Sequence, residues 1–312
     1  MFRRPRVNPS GTRRPEEASP SRAARRAASS PLTPSAGPRY HRDVIADPTD
    51  VAARLALATS AARAAGQLLE AHRGHLREVV KKGEIDLVTE ADRAAEAALI
   101  ERIAAAFPGD AVCGEEGGEV VVAGARWVWY IDPLDGTTNF VHGLPWFAVS
   151  VGAVYLGQPT VGVIHAPALG HTWHGASGQG AYLDDRPLGV TATAALKDAL
   201  LATGFPYDRA QTARALVAPV VRALERARGL RRMGAAALDL AGVADGTFGG
   251  YWEPRLKPWD LAAGIALIRE AGGRVTDFAG GDGMLASGDV IASNGVLHKA
   301  LLGIVHGDRG AP

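Results

Sequence analysis

Apolar positions recur with helical spacing through residues 51–72, VAARLALATSAARAAGQLLEAH, where Leu55, Ala58, Ala62, Ala65 and Leu69 share one face. That spacing predicts an amphipathic helix packed by its Ala/Leu side. Val79 and Val80 read as a short strand, followed by a polar loop over residues 81–86 that contains Gly83. Thr89 is a candidate N-cap for a helix running to about Ala106, with Asp92 three residues on in the capping-box position and Phe107-Pro108-Gly109 as the stop. A short apolar run at 111–113 leads into the Gly-rich loop Gly114-Glu115-Glu116-Gly117-Gly118, and residues 127–131 read as a buried strand.

Beyond residue 146 the pattern is that of an antiparallel sheet, with strands at 147–156 and 159–165 joined at Gly157, then 172–176 and 180–183. From about Thr191 strands and helices alternate. Strands are predicted at 200–203, 229–232, 248–252, 273–276 and 290–292, and helices at 212–227, 236–244, after Trp259 and at 296–305. The stretch LAAGIALIREAGG reads as an amphipathic helix closed by Gly272-Gly273, with one face toward solvent. No fixed-period repeat is present.

The stretch WVWYIDPLDGTTNF, residues 127–140, joins an apolar run to two aspartates and two threonines. Asp132-Pro133-Leu134-Asp135 is the composition of a tight turn, Gly136 supplies backbone freedom, and Thr137 or Thr138 can open a helical turn. Carboxylates favour a hard cation, and free N–H groups at a helix start favour a phosphate. A cation bridging carboxylates to a phosphate ester satisfies both; a pair of aspartates capping turn amides satisfies neither and is the alternative. Asp92 likewise reads as a capping acid, Asp260 as an acid placed for the dipole of its helix, and Glu115 and Glu116 as solvated loop acids. His171 and His174 lack helical i, i+4 ligand spacing and are flanked by Gly170 and Gly175, which argues against zinc.

Charge is unevenly spread along the chain. The 312 residues carry a net +1, yet the first 45 hold ten Arg against Glu16, Glu17 and Asp43, so the rest is net acidic, at −6. An acidic body suits a cation site better than a broad nucleic-acid groove. The Arg-, Pro-, Ser- and Ala-rich residues 1–45 are predicted to be disordered, and an RNA or an acidic partner is the function class open to such an arm. The single Cys113 excludes an internal disulfide and a Cys-rich zinc site, and reads as a small buried residue in a reducing compartment. No apolar run reaches the roughly 18 residues of a membrane span, and the N-terminus lacks a signal-peptide core, so a cytoplasmic protein is expected. The 47% hydrophobic content supports a sizeable core. Boundaries are placed at 1–45 (tail), 46–190 (an N-terminal α+β metal-binding half), 191–306 (a C-terminal α/β half) and 307–312 (tail).

Taken jointly, DLVT at 86–89 ahead of Asp92, GEE at 114–116, DPLDGTTNFVHGLPWFAVSVG from Asp132 and WDLAAG from Trp259 resemble the inositol monophosphatase family of Mg2+-dependent, lithium-sensitive phosphatases. The resemblance spans roughly residues 51–305. It implies an α+β and α/β fold, a layered αβαβα sandwich of the sugar-phosphatase type, antiparallel-rich in its N-terminal half, with the site in the cleft between halves. It implies two or three Mg2+ ions: one on Glu115, Asp132 and the Leu134 carbonyl, a second on Asp132, Asp135 and Asp260, and a weaker third near Glu115. It further implies a water oriented by Glu115 and by Thr137 bonded to Asp92, phosphate contacts from Gly136 and Thr137, alcohol contacts from Asp135, Ala236 and Glu253, and a homodimer. Carboxylates about 4 Å apart repel by roughly 4 kcal/mol per pair at an effective dielectric near 20, so such a cluster calls for cations.

The resulting expectation is a phosphomonoesterase acting on inositol 1-phosphate or a similar small polyol or sugar phosphate. Fructose-1,6-bisphosphatase, histidinol-phosphate phosphatase and 3′-phosphoadenosine phosphatase activities share the fold and are the nearest alternatives. A protein that binds RNA or a transcription complex through its Arg-rich arm is the alternative of another class. Ala235 stands where many relatives have Ser or Thr, which removes a hydroxyl from the alcohol side; Lys81 and Lys257 have no assigned role.

Overall fold

The computed structural model describes residues 46–73, 79–81, 87–207 and 212–307, with backbone alone at 79–81 and 87–89. The predicted disordered arm, most of the loop at 82–86 with its Asp86, and residues 308–312 lie outside the described residues.

Helix α1 (Pro48–His72) is followed by the two-stranded pair β1 (Val79–Lys81) and β2 (Leu87–Thr89), then α2 (Glu90–Ala106). Next come β3 (Ala111–Gly114), β4 (Glu119–Val120), β5 (Trp127–Asp135), the short α3 (Thr137–Val141), β6 (Ala148–Tyr155), β7 (Gln158–Ala166), β8 (His171–Ala176), β9 (Gly180–Leu183) and β10 (Arg186–Pro187). Strands β3 to β10 form one eight-stranded sheet in the order β10-β9-β8-β7-β6-β5-β3-β4, antiparallel throughout except for β3 beside β5. The β6–β7 connection is Leu156-Gly157, both at positive φ, as a two-residue hairpin turn requires.

The remaining elements are β11 (Leu200–Thr203), α4 (Ala213–Arg226), β12 (Gly229–Arg231), α5 (Ala236–Ala244), β13 (Gly250–Glu253), α6 (Pro258–Glu270), β14 (Arg274–Thr276), α7 (Met284–Ser287), β15 (Val290–Ser293) and α8 (His298–His306). They build a five-stranded sheet, β12-β11-β13-β15-β14, parallel across its first three strands.

Packing arranges these elements as α1/α2, large sheet, α5/α6, small sheet, α4/α8: the αβαβα sandwich implied by the resemblance. Ala58, Ala62, Ala65 and Leu69 of α1 pack with Ala95, Leu99 and Ile103 of α2 on Trp129, Ile131 and Val151 of the large sheet. Leu55 is only partly buried. The middle layer joins Leu238 and Leu240 of α5 to Leu261, Ile265 and Leu267 of α6, between Ile164 and Trp173 on one side and Tyr251 and Val290 on the other. Ala223, Leu301 and Ile304 cover the outer face of the small sheet over Leu201 and Ile291.

Helix α6 is buried without interruption from Leu261 to Ile268, so it has no solvent face. It reaches this depth because β6 and β7 present glycines beneath it. A Cβ on Gly152 would stand 2.7 Å from the Ala263 nitrogen. Gly152→Ala must therefore lift α6, and we expect Tm to fall by about 2–10 °C, as overpacking a tight contact does. Calorimetric melting within 1 °C of the parent would show that the helix yields freely.

Several elements differ from the sequence reading. Asp132-Pro133-Leu134-Asp135 is not a turn after β5 but its continuation: Asp132 pairs with Ser150 and Asp135 with Ala148, three steps on one strand against two on the other. The extra residue makes a bulge, which accommodates Pro133 without a lost ladder bond. Strands β2, β4 and β10 and helix α7 were not predicted; each has four residues or fewer, too short for a periodic signal. Cys113 is partly rather than fully buried.

Candidate active site

The bulge in β5 sets up the site. Asp132 accepts the Leu134 N–H on Oδ1 at 2.9 Å, which folds the chain back on itself and buries both residues. Gly136 follows at φ +88°, a left-handed turn that a side chain would strain, and α3 begins at Thr137. Asn139 in α3 donates to the carbonyls of Trp146, Met233 and Gly234, at 2.7, 3.0 and 3.4 Å, and so stitches this turn to the segment that opens α5.

Asp135 makes the main connection between layers. Its two carboxylate oxygens accept the N–H groups of Ala236 and Ala237, at 3.1 and 2.8 Å, the unpaired amides at the start of α5. Asp260, at the start of α6, accepts the Lys257 N–H at 2.7 Å in the capping-box arrangement. Each acid thus has the local backbone role expected of a capping residue, and each also faces the same space. A cavity of about 470 Å3 is lined by Glu115, Asp132, Leu134, Asp135, Gly136, Thr137, Ala236, Glu253 and Asp260, nine of the ten site residues named from the sequence.

The tenth, Asp92, is 1% exposed and lies behind this wall rather than on it, close enough for its charge to raise the Asp132 pKa. The Thr137 hydroxyl donates to the Leu134 carbonyl at 3.1 Å, so no Thr137–Asp92 bond forms. Bending of the chain over the bulge brings that carbonyl within reach of Thr137 first.

Electrostatically the floor is strained by charge. Burial, followed by Glu115, Asp135 and Asp260, pushes the Asp132 carboxyl well above its ordinary range. Burial and then Glu115 and Asp135 do the same to Asp260. Asp135 rises to about 6 through burial, with the Ala237 and Ala236 amides opposing. Glu253 rises to about 7, again by burial, opposed by a Tyr251 hydrogen bond and by Arg232. Among the described residues no three His, Cys, Asp or Glu side chains are gathered tightly enough to grip an ion unaided.

Other residues entered the site without being named from the sequence. Glu96 accepts the N–H groups of Glu116 and Gly118, at 2.8 and 2.9 Å, and so shapes the loop that carries Glu115. Its signal was available: Asp92 and Glu96 stand one turn apart among the buried positions of α2, two acids interrupting an apolar face. Gly204, Phe205 and Arg232 also line the cavity, and no pattern in the sequence marks them. His171 and His174 bond to the Asp184 side chain and carbonyl, at 2.9 and 2.8 Å. No helix among the described residues is long and apolar enough to cross a membrane.

Known proteins resemble this chain over most of its length. The model of the inositol monophosphatase family matches residues 50–308. The inositol-1-monophosphatase of Synechocystis sp. is 42% identical over 255 residues, 81% of this chain and 89% of its own. The Nus factor SuhB of Pseudomonas aeruginosa is also 42% identical, over 80% of this chain and 94% of its own. The solved structure of inositol monophosphatase from Anabaena (Nostoc) sp. superposes with a TM-score of 0.75 at 39% identity, covering 83% of this chain and 97% of that one. Matched along nearly its whole described length in sequence and in fold, the chain belongs to the inositol monophosphatase family and is a phosphoric monoester hydrolase.

Proposed function

We propose that the protein is a Mg2+-dependent phosphomonoesterase that hydrolyses inositol 1-phosphate, or a similar polyol or sugar phosphate, to the alcohol and inorganic phosphate. The observation that carries this reading is the set of acids on one cavity wall, held above their ordinary pKa range by burial and mutual repulsion. Such a wall favours a divalent cation as counter-charge.

The donors suit that ion. Mg2+ takes hard oxygen ligands, keeps several waters and commonly uses only one or two carboxylates together with substrate phosphate. Asp132 and Asp260 each bind a backbone N–H through one oxygen, which leaves the other for a cation. Glu115, Asp132 and the Leu134 carbonyl would hold one ion and Glu115 a weaker third; Asp132, Asp135 and Asp260, which do not stand at ligand distances as a set of three, would have to close on a second, with Asp135 keeping its amide bonds and offering its remaining lone pairs. When bound, the ions neutralise phosphate charge, acidify water and stabilise the leaving alkoxide.

The chain supplies position and proton contacts. Gly136 and Thr137 receive the phosphate oxygens, Glu115 and the Thr137 hydroxyl orient the attacking water, and Asp92, repelling Asp132 from behind the wall, adds to the demand for a cation. Water attacks phosphorus in line as the P–O bond to the alcohol breaks; the water's proton passes to the Glu115 side, and a proton from solvent at the open side of the cavity goes to the departing alkoxide. No bond to the protein forms. Glu253, Asp135 and Ala236 meet the hydroxyls of the alcohol. Lithium sensitivity, a homodimer and a cytoplasmic location belong to the same proposal.

The test is a panel of inositol 1-phosphate, fructose 1,6-bisphosphate, histidinol phosphate and 3′-phosphoadenosine 5′-phosphate with Mg2+, with and without lithium. Inositol 1-phosphate should turn over fastest and lithium should slow it. Failure to hydrolyse any member would end the enzymatic reading.

A second reading is favoured by relatives that carry the name Nus factor SuhB. It assigns RNA or transcription-complex binding to the Arg-rich residues 1–45. Deleting them should abolish that association and leave hydrolysis intact; association that survives the deletion would remove the arm's role.

A further inference from the structure

The alcohol end of the cavity contains a contact that neither the family match nor the sequence motifs assign. Glu253, at the end of β13, is 7% exposed, and two residues earlier on the same strand Tyr251 is fully buried. The Tyr251 hydroxyl donates to Glu253 Oε2. On the other side Gly204 abuts the carboxylate so closely that a Cβ there would overlap it. The glutamate is therefore clamped between a hydroxyl donor and a bare backbone.

Charge alone would not hold it there. Asp135 on β5 repels Glu253, and Asp239 on α5, 1% exposed and with neither carboxylate oxygen hydrogen-bonded, lies in the same cluster. Arg232, before α5, attracts it. Yet the guanidinium forms no ion pair with Glu253 and sits over the Phe205 ring at 5.8 Å. Arg232 lines the same cavity, so its attraction gives an unrestrained Glu253 a second direction to turn. The Tyr251 hydroxyl holds the Glu253 carboxylate against that pull, and being buried it loses nothing to solvent competition.

We propose that Tyr251 is a positioning residue that fixes the Glu253 carboxylate as an acceptor for substrate hydroxyls, and so sets the preference for polyol over hydroxyl-free phosphate esters. This rests on the assignment of Glu253 to the alcohol side made above. Tyr251 touches no substrate; it acts through Glu253.

The experiment compares inositol 1-phosphate with phenyl phosphate, an ester without hydroxyls, in the full chain with Mg2+. Tyr251→Phe should lower the ratio of kcat/KM for inositol 1-phosphate over phenyl phosphate about tenfold, mainly through KM, the worth of roughly one hydrogen bond. Added to Glu253→Ala, which removes the acceptor itself, Tyr251→Phe should change the ratio little further. Gly204→Ala, which displaces the carboxylate without touching Tyr251, should lower the same ratio and serves if Tyr251→Phe does not fold. Proportional losses on both esters, or a full Tyr251→Phe effect in the Glu253→Ala background, would overturn the inference. If Glu253→Ala leaves the ratio unchanged while both esters are hydrolysed, the alcohol assignment falls and the inference with it, but the phosphomonoesterase reading stands.

Discussion

Asp132→Asn should lower kcat by about three to four orders of magnitude and at the same time raise the melting temperature of the metal-free protein. The two effects share one cause. Asp132 is 2% exposed, and its carboxyl is pushed up by burial first and by Glu115, Asp135 and Asp260 after that. An asparagine keeps the Oδ1 acceptor for the Leu134 N–H, so the bulge in β5 survives. What disappears is one negative charge from a crowded wall. Loss of a carboxylate proposed to be shared by two ions removes several kcal/mol of transition-state stabilisation, at 1.36 kcal/mol for each factor of ten in rate. Loss of the repulsion favours the folded state when no cation is present. Steady-state kinetics with saturating Mg2+ and thermal melts in chelator make the comparison. Near-parental turnover would remove Asp132 from the reaction, and a lower melting temperature would mean the carboxylate stabilises the fold as it stands.

Metal-free protein should become less stable as pH rises from 5 to 8, with Mg2+ at millimolar concentration flattening the slope. Asp135 has a folded pKa of about 6 against an ordinary 3.8, and Glu253 about 7 against 4.5. Asp132 and Asp260 are raised as well. A carboxyl whose folded pKa is raised holds its proton in the folded state over a range where the unfolded chain has already released it. Within that range the folded state binds more protons, so stability falls with pH, from about 4 up to each folded pKa. Asp135 and Glu253 contribute about 3 kcal/mol each, enough together for a fall of about 10 °C or more. A cation that binds only the folded, ionised wall reverses the sense of the linkage. Melts at half-unit pH steps in chelator and in Mg2+ would read this directly. A melting temperature that climbs toward pH 8 in chelator would show that the wall is not under charge strain.

Long, periodic elements were legible in the sequence because their signal is carried by many residues. The Ala/Leu face of α1, the paired strands β6 and β7 around Leu156-Gly157 and the position of α6 all appear where spacing placed them, but α6 is buried on every side rather than amphipathic, because the small sheet covers the face its pattern left to solvent. The course of Asp132 to Asp135 was not legible, because Pro-containing tetrapeptides favour turns locally and only pairing with Ser150 and Ala148 converts this one into a bulge. For the site, the DPLDGTTNF and WDLAAG motifs pointed to one cavity across distant segments of chain. Local pattern could not reveal that Asp135 binds the first amides of α5, since that contact joins residues 101 and 102 positions apart. Nor could it place Tyr251 or Gly204 around Glu253, because a hydroxyl in a strand and a glycine in a loop carry no periodic signal of their own.

The burial of α6 on every side has a consequence for how substrate preference can drift among related proteins. Asp260 stands at the start of a helix whose next eight residues are all core, so the inorganic half of the site is fastened to the packing of both sheets and tolerates little change. Residues 205–207 and 254–256, which border the proposed alcohol side, belong to connecting segments outside that packing. Substitution there would alter which ester fits while leaving the acids in place: a fixed reaction with an adjustable clientele.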